Sequence, residues 1–74
     1  MEIKQRIKTV ISRIFEINVV PDDISQKNCE KWDSLRHLNL VVELESEFGI
    51  SIEPEEIAVM KTMQDIISIV SAKI

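Results

Sequence analysis

The stretch DSLRHLNLVVELESEFGISI, residues 33–52, carries the strongest pattern in the chain. Asp33 stands where an N-cap belongs, because a short carboxylate just ahead of an apolar periodic run can accept from the first free backbone amides. The helix pattern then lasts from Ser34 to Phe48. Gly49 follows, suited to the left-handed conformation that ends helices. At about 100° per residue, Leu40, Val41, Leu44 and Phe48 share one stripe. Leu35, Leu38 and Val42 form a second, adjacent stripe, while Arg36, Asn39, Glu43 and Glu47 occupy the far side. An arc this wide has two readings. Both stripes are buried between neighbouring helices, or one faces the core and the other a ligand or partner.

Upstream, Ile3, Ile7, Val10, Ile11 and Ile14 recur at helical spacing with Phe15 beside them, which predicts an amphipathic helix over residues 2–16. Lys4, Lys8 and Ser12 fall on its polar face. Residues 17–33 form a long connection, broken from helical period by Asn18, Pro21, Asp22 and Asp23. Loops of this length in a compact domain are uncommon and often functional. Ile24 and Trp32 are its isolated apolar residues and the candidates to pin it to a core. A short helical turn over residues 21–24 would fit inside it.

Downstream, Ile50, Ser51 and Ile52 alternate like a strand but have no partner strand, so a packed loop is expected. Pro54 suits the first position of a short helix over residues 54–59, with Glu55 and Glu56 favourable at its N-terminal dipole. Thr62 and Asp65 form a capping-box pair for a last helix. Its apolar face is Met63, Ile66, Ile67 and Val70, extended by Ile69 and Ile74. The fold expected is all-α: one domain over residues 1–74, a bundle of three main helices plus one short one.

Seventy-four residues give a marginal core. Cys29 is the sole cysteine and His37 the sole histidine, so neither an intrachain disulfide nor a zinc site is available. Aliphatic packing must supply the stability. The net charge of −4 argues against nucleic acid, which wants a basic face. The glutamates from Glu43 to Glu56 would steer a basic partner or simply keep the chain solvated. No apolar run approaches the ~20 residues of a membrane span. The first residues lack a signal-peptide core. A cytoplasmic monomer is expected.

Catalysis is poorly supported. Ser34 and His37 lie three residues apart, but no carboxylate is placed to orient the imidazole as a base. His37 falls between Val41 and Leu44 on the helix wheel, where a partly buried structural histidine is expected. The glutamates lack calcium-loop spacing, no metal site is expected, and a lone cysteine such as Cys29 is more often inert than reactive. A different use of Ser34 remains. A hydroxyl at a helix start after a loop is accessible to another enzyme, and a phosphate placed on it would meet free amides and the positive end of the helix dipole.

Residues 33–52 resemble the core of an acyl carrier protein. Asp33, Ser34 and Leu35 match the family's Asp-Ser-Leu at the head of its second helix. Leu40, Val41, Leu44, Glu45, Glu47 and Phe48 match the aliphatic helix that follows. Ile52, Pro54, Glu55 and Glu56 match the step into a short helix, and Thr62, Met63 and Asp65 the start of the last one. The resemblance covers nearly the whole chain. It implies that a phosphopantetheinyl transferase moves 4′-phosphopantetheine from coenzyme A to Ser34, and that the arm's thiol carries acyl groups as thioesters. Asp33 would help position the transferase's metal and the serine. Leu35, Leu38 and Val42 would form the apolar part of a docking surface, beside Arg36, with Glu43, Glu45 and Glu47 its acidic part. A gap beneath the second helix would shelter a short acyl chain. Partners implied are acyl-transferring, condensing or ligase enzymes of fatty-acid, polyketide or related biosynthesis. The protein itself would not be an enzyme.

The chain departs from the family pattern at two places. Lys31 stands where Gly is usual, followed by Trp32, and Arg36 and His37 follow Asp-Ser-Leu where an acidic or polar residue is common. A specialised carrier serving a dedicated pathway is therefore expected. A peptidyl or aryl carrier would share the arm and bundle but not the cargo. A noncovalent helical interaction module would use Ser34 only to start a helix.

Overall fold

The computed structural model describes residues 2–74. Helices α1 (Ile3–Phe15), α2 (Ser34–Phe48), α3 (Pro54–Val59) and α4 (Met63–Ser71) follow one another along the chain. Three are long and α3 is a short turn-and-a-half, as the periodicity implies.

Local chemistry sets the boundaries. Asp33 caps α2, its carboxylate accepting from the Arg36 amide at 2.9 Å. Gly49 closes α2 at φ 65°, and the Ile50 amide returns to the Glu45 carbonyl at 3.1 Å. Before α3, the Glu56 carboxylate accepts the Glu53 amide at 2.8 Å. Thr62 and Asp65 cap α4 reciprocally, each side chain accepting the other's amide at 3.1 Å. The end of α1 is different. Glu16 takes the left-handed conformation at φ 56° that glycine usually fills, and the Ile17 amide reaches back to the Ser12 carbonyl.

The core joins Ile7, Val10, Ile11 and Phe15 of α1 to Leu40, Val41 and Leu44 of α2 and to Met63, Ile66 and Val70 of α4. Ile52 and Met60 fill it from the connections. Helix α1 packs on both α2 and α4. Truncating a fully buried member such as Leu44 or Ile66 to Ala would cost about 2–5 kcal/mol.

The loop over residues 17–33 is built from hydrogen-bonded turns. The Ile24 amide bonds the Pro21 carbonyl, Asn28 bonds Ser25, and Trp32 bonds Cys29, all at 3.1–3.2 Å. The helical turn expected over residues 21–24 is thus a single turn and not a helix. Ile24 and Trp32 are buried anchors, as expected, and Val20 joins them. A bridge between Ser25 and Thr62 ties the loop to the α3–α4 junction. There the Gln26 amide bonds the Lys61 carbonyl at 2.9 Å and the Met63 amide bonds that of Ile24 at 3.0 Å. Lys4 and Lys8 both pair with Asp22 and hold the loop's other end to α1.

One expectation needs correction, at Ile74, and the far side of α2 gains partners that its wheel does not show. Glu43 is half-buried and Glu47 exposed, opposite the apolar arc as expected. Glu47 pairs with Arg6 at 3.0 Å and Glu43 with Arg13 at 3.6 Å. The wheel of α2 alone places them opposite its apolar arc, but the basic face of α1 runs alongside and captures them. Phe48 is only half-buried, with the Arg6 guanidinium carbon 4.4 Å from its ring centroid. Ile74 lies past the end of α4, exposed, and adds nothing to that helix's apolar face. Among the described residues, no helix is long and apolar enough to cross a membrane.

Candidate functional site

Ser34 is the first residue of α2 and is exposed. The capping is done by its neighbour, so its hydroxyl is not spent on starting the helix. Asp33 uses one oxygen on the Arg36 amide and the other on the Arg36 guanidinium, both at 2.9 Å. These contacts, the amide first, hold the Asp33 carboxyl below its ordinary value of 3.8. Arg36 is therefore turned back on Asp33 and compensates its charge beside Ser34.

Behind Ser34 lies a polar chain that the sequence did not reveal. The Trp32 indole donates to His37 Nδ1 at 2.9 Å. Indole nitrogen can only donate, so Nδ1 is the acceptor and Nε2 carries the proton. Nε2 then donates to the Ile57 carbonyl at 2.8 Å. This chain links the loop, α2 and α3. Trp32 is buried and leans on Phe15, with ring centroids 5.6 Å apart. His37 is half-buried, as the wheel suggested. With both ring nitrogens engaged, it is not a base for Ser34. No residue spacing signals such a contact, because Trp32 and His37 meet across a helix cap.

Gln26, Trp32, Asp33, Ser34, His37 and Leu38 line an open groove that starts at the Ser34 hydroxyl. On the same side, the second stripe of α2 is uncovered: Leu35 is 70% exposed, Leu38 56% and Val42 61%. Of the two readings of the wide arc, one stripe on the core and one outside is the observed one. Val59 of α3 is exposed as well, and nothing in the sequence marked it. The third glutamate of α2, Glu45, accepts the Ile52 amide at 2.9 Å. Glu43, Glu45 and Glu47 are thus all engaged within the bundle. Cys29 is half-buried against the core. Among the described residues, no three His, Cys, Asp or Glu side chains gather as a metal site.

A capped helix head with an uncommitted serine, on a bundle whose buried side chains form one packed core, defines a small helical carrier-type domain. The comparisons agree. No protein-family model matches. An acyl carrier protein of Thermosynechococcus vestitus is 30% identical over 76 residues, covering 99% of this chain and 93% of its own. An acyl carrier protein homolog of Mycoplasma genitalium is 38% identical over 68 residues, covering 89% and 81%. One from Petrotoga mobilis is 31% identical over 75 residues, covering 99% and 88%. A solved structure from Mycobacterium tuberculosis, itself provisionally assigned as an acyl carrier protein, superposes with TM-score 0.87 at 26% identity. It covers 96% of this chain and 97% of its own. The chain belongs to the acyl carrier protein family.

Proposed function

We propose that Ser34 is the attachment point of a 4′-phosphopantetheine arm and that the protein is used by enzymes without being one. The observation that carries this is the division of labour at the head of α2: Asp33 caps the helix, and the exposed Ser34 hydroxyl is left to react. The site fits a phosphodiester. A phosphate on Ser34 would sit at the positive end of the α2 dipole, and Arg36 offsets the one carboxylate beside it.

In the loading step, the Ser34 oxygen attacks the phosphorus of coenzyme A that bears the pantetheine. A new oxygen–phosphorus bond forms, the pyrophosphate bond breaks, adenosine bisphosphate leaves, and the hydroxyl proton passes to a base on the transferase. Asp33, held ionised, helps orient Ser34 and the transferase's metal. The loaded arm supplies a thiol that holds an acyl group as a thioester, and tethering raises its concentration at a docked active site.

Leu35, Leu38 and Val42 form the apolar docking stripe for the transferase and for acyl-transferring, condensing or ligase enzymes. The engagement of Glu43, Glu45 and Glu47 makes their carboxylates a weaker part of that surface than the stripe. With Lys31 before the site and Arg36 within it, a dedicated set of partner enzymes fits better than a general one.

Incubation with coenzyme A, magnesium and a broad phosphopantetheinyl transferase, followed by intact mass, tests the reading. Wild type is expected to gain one phosphopantetheine and Ser34→Ala none. No gain with several transferases would overturn it in favour of a noncovalent helical module.

A further inference from the structure

The head of α2 is held by more contacts than a helix start requires. One side-chain cap is enough for that, and Asp33 supplies it through the Arg36 amide. The other helices do with less. Helix α1 starts without a side-chain cap, and α4 with the reciprocal pair Thr62 and Asp65. At α2 the Arg36 guanidinium also bonds Asp33, the Trp32 indole bonds His37, and His37 bonds the Ile57 carbonyl of α3. The surplus is gathered around the residue whose hydroxyl is left to react.

Trp32 stands just ahead of the cap and His37 one turn after it. Apolar pairs at these two places fix the angle at which a chain enters its helix. An indole–imidazole bond adds direction, because it forms only with donor and acceptor aligned. Both ends are anchored. Trp32 is 4% exposed and leans on Phe15 of α1, and the Trp32 amide bonds the Cys29 carbonyl at 3.1 Å. His37 is fastened to α3. The pair thus bridges the turn at which a helix frays, and Ser34 lies within that turn.

For stability alone an apolar pair would serve, since a hydrogen bond made on folding replaces bonds to water and gains little net. What a satisfied polar pair adds is a single geometry. Ser34 shares its groove with both residues, yet its hydroxyl takes part in none of the contacts that hold the corner. With the backbone from Trp32 to His37 held, rotation about χ1 is the freedom left to that hydroxyl.

We infer that Trp32 and His37 are positioning residues for arm transfer: their hydrogen bond fixes the backbone from which the Ser34 oxygen attacks. This rests on the carrier reading of Ser34. In that step the oxygen gains the phosphorus of coenzyme A, its proton goes to a base on the transferase, and adenosine bisphosphate leaves. His37 moves no proton, because both its ring nitrogens are engaged. Attack at phosphorus needs a narrow range of distance and angle, so a loosened serine costs rate. Affinity is left to the uncovered stripe of Leu35, Leu38 and Val42. The two contributions therefore separate in kinetics.

The test is steady-state loading of the full chain by one phosphopantetheinyl transferase, with kcat and the KM for the carrier measured separately. Far-ultraviolet circular dichroism first shows that each variant folds. His37→Asn keeps an acceptor near the Nδ1 position, and His37→Gln a donor near the Nε2 position, so the two divide the histidine's bonds. Trp32→Phe removes the indole donor and keeps the ring against Phe15. In His37→Gln and Trp32→Phe, kcat is expected to fall roughly tenfold at unchanged KM, and in His37→Asn to stay near wild type. Thr62→Ala uncaps α4, lowers stability by another route, and is expected to load as wild type. Wild-type kcat in His37→Gln and Trp32→Phe would overturn the positioning role and leave Ser34 as the attachment point. So would an equal fall in His37→Asn or Thr62→Ala, or a raised KM at constant kcat. If His37→Gln does not fold, Trp32→Phe against wild type still decides. A wild-type chain that gains no mass would overturn both readings.

Discussion

Trp32 Nε1 donates to His37 Nδ1 at 2.9 Å, and that one bond decides the tautomer of the only histidine. His37 Nε2 must then carry the proton that reaches the Ile57 carbonyl. Replacing His37 by Ala would leave the buried indole N–H without a partner and release the α3 carbonyl. A loss of about 1–3 kcal/mol is expected, the usual cost of orphaning a buried polar group. The check is the urea midpoint at unchanged m-value. Trp32→Phe separates this polar loss from simple contact loss, because it keeps the ring against Phe15 and frees His37 Nδ1 for water. Nitrogen shifts of His37 in wild type are expected to report the Nε2–H form.

How much of this was legible in the sequence depends on the range of the interaction involved. The caps at Asp33 and at Thr62 with Asp65 were readable, because a cap is a contact between residues three apart. So was the double stripe of α2, whose inner and outer members are separated by angle alone. The partners of Glu43 and Glu47 were not readable, because Arg13 and Arg6 lie far off in sequence and meet them only once α1 has packed on α2. The same holds for the link from His37 to Ile57 and for the meeting of Gln26 with Lys61. The proposal for Ser34 rests on its neighbours in sequence, whereas the groove beside it is made by tertiary contacts.

Glu16 shows a misleading local signal, and it yields a stability test. Its φ of 56° is left-handed, a conformation that costs a residue with a side chain about 1–2 kcal/mol. Gly49 has the same geometry at the end of α2 without that cost. Glu16→Gly is expected to raise stability. The gain stays near 1 kcal/mol, because glycine also gives the unfolded chain more freedom. Thermal unfolding of the variant measures it, and a lowered midpoint would contradict the strain assigned to Glu16.

Three carboxyls contribute to the response to acid. Hydrogen bonds from Lys8 and then Lys4 lower Asp22. The Arg36 amide lowers Asp33, and the Glu53 amide and then Lys73 lower Glu56. A carboxyl lowered on folding stabilises the folded state above its unfolded value, and that stability is lost as pH falls through the folded value. The unfolded values are the ordinary 3.8 for the aspartates and 4.5 for the glutamate. Stability from these groups is expected to hold from neutral pH down to about 5 and then to fall steadily with further acid. Urea midpoints across that range test it. Lys8→Gln, which removes the first cause at Asp22, is expected to make the fall shallower, and high salt to do the same.

The uncovered stripe of α2 separates docking from folding. Leu38 is 56% exposed beside Ser34, so Leu38→Ala removes little buried area and is expected to change stability by no more than about 0.5 kcal/mol. If the stripe seats the transferase, the same change takes an apolar anchor out of the complex. Arm loading is then expected to slow by roughly tenfold, the equivalent of about 1.4 kcal/mol. Arg13→Gln acts in the opposite sense. It frees Glu43 from its 3.6 Å partner on α1 and adds an uncompensated carboxylate to the face of α2. A transferase that reads carboxylates would load this variant faster, and one that reads the apolar stripe would not distinguish it from wild type. Loading rates of the two variants at fixed coenzyme A decide between them. Equal rates for wild type and Leu38→Ala would remove the stripe from the docking surface.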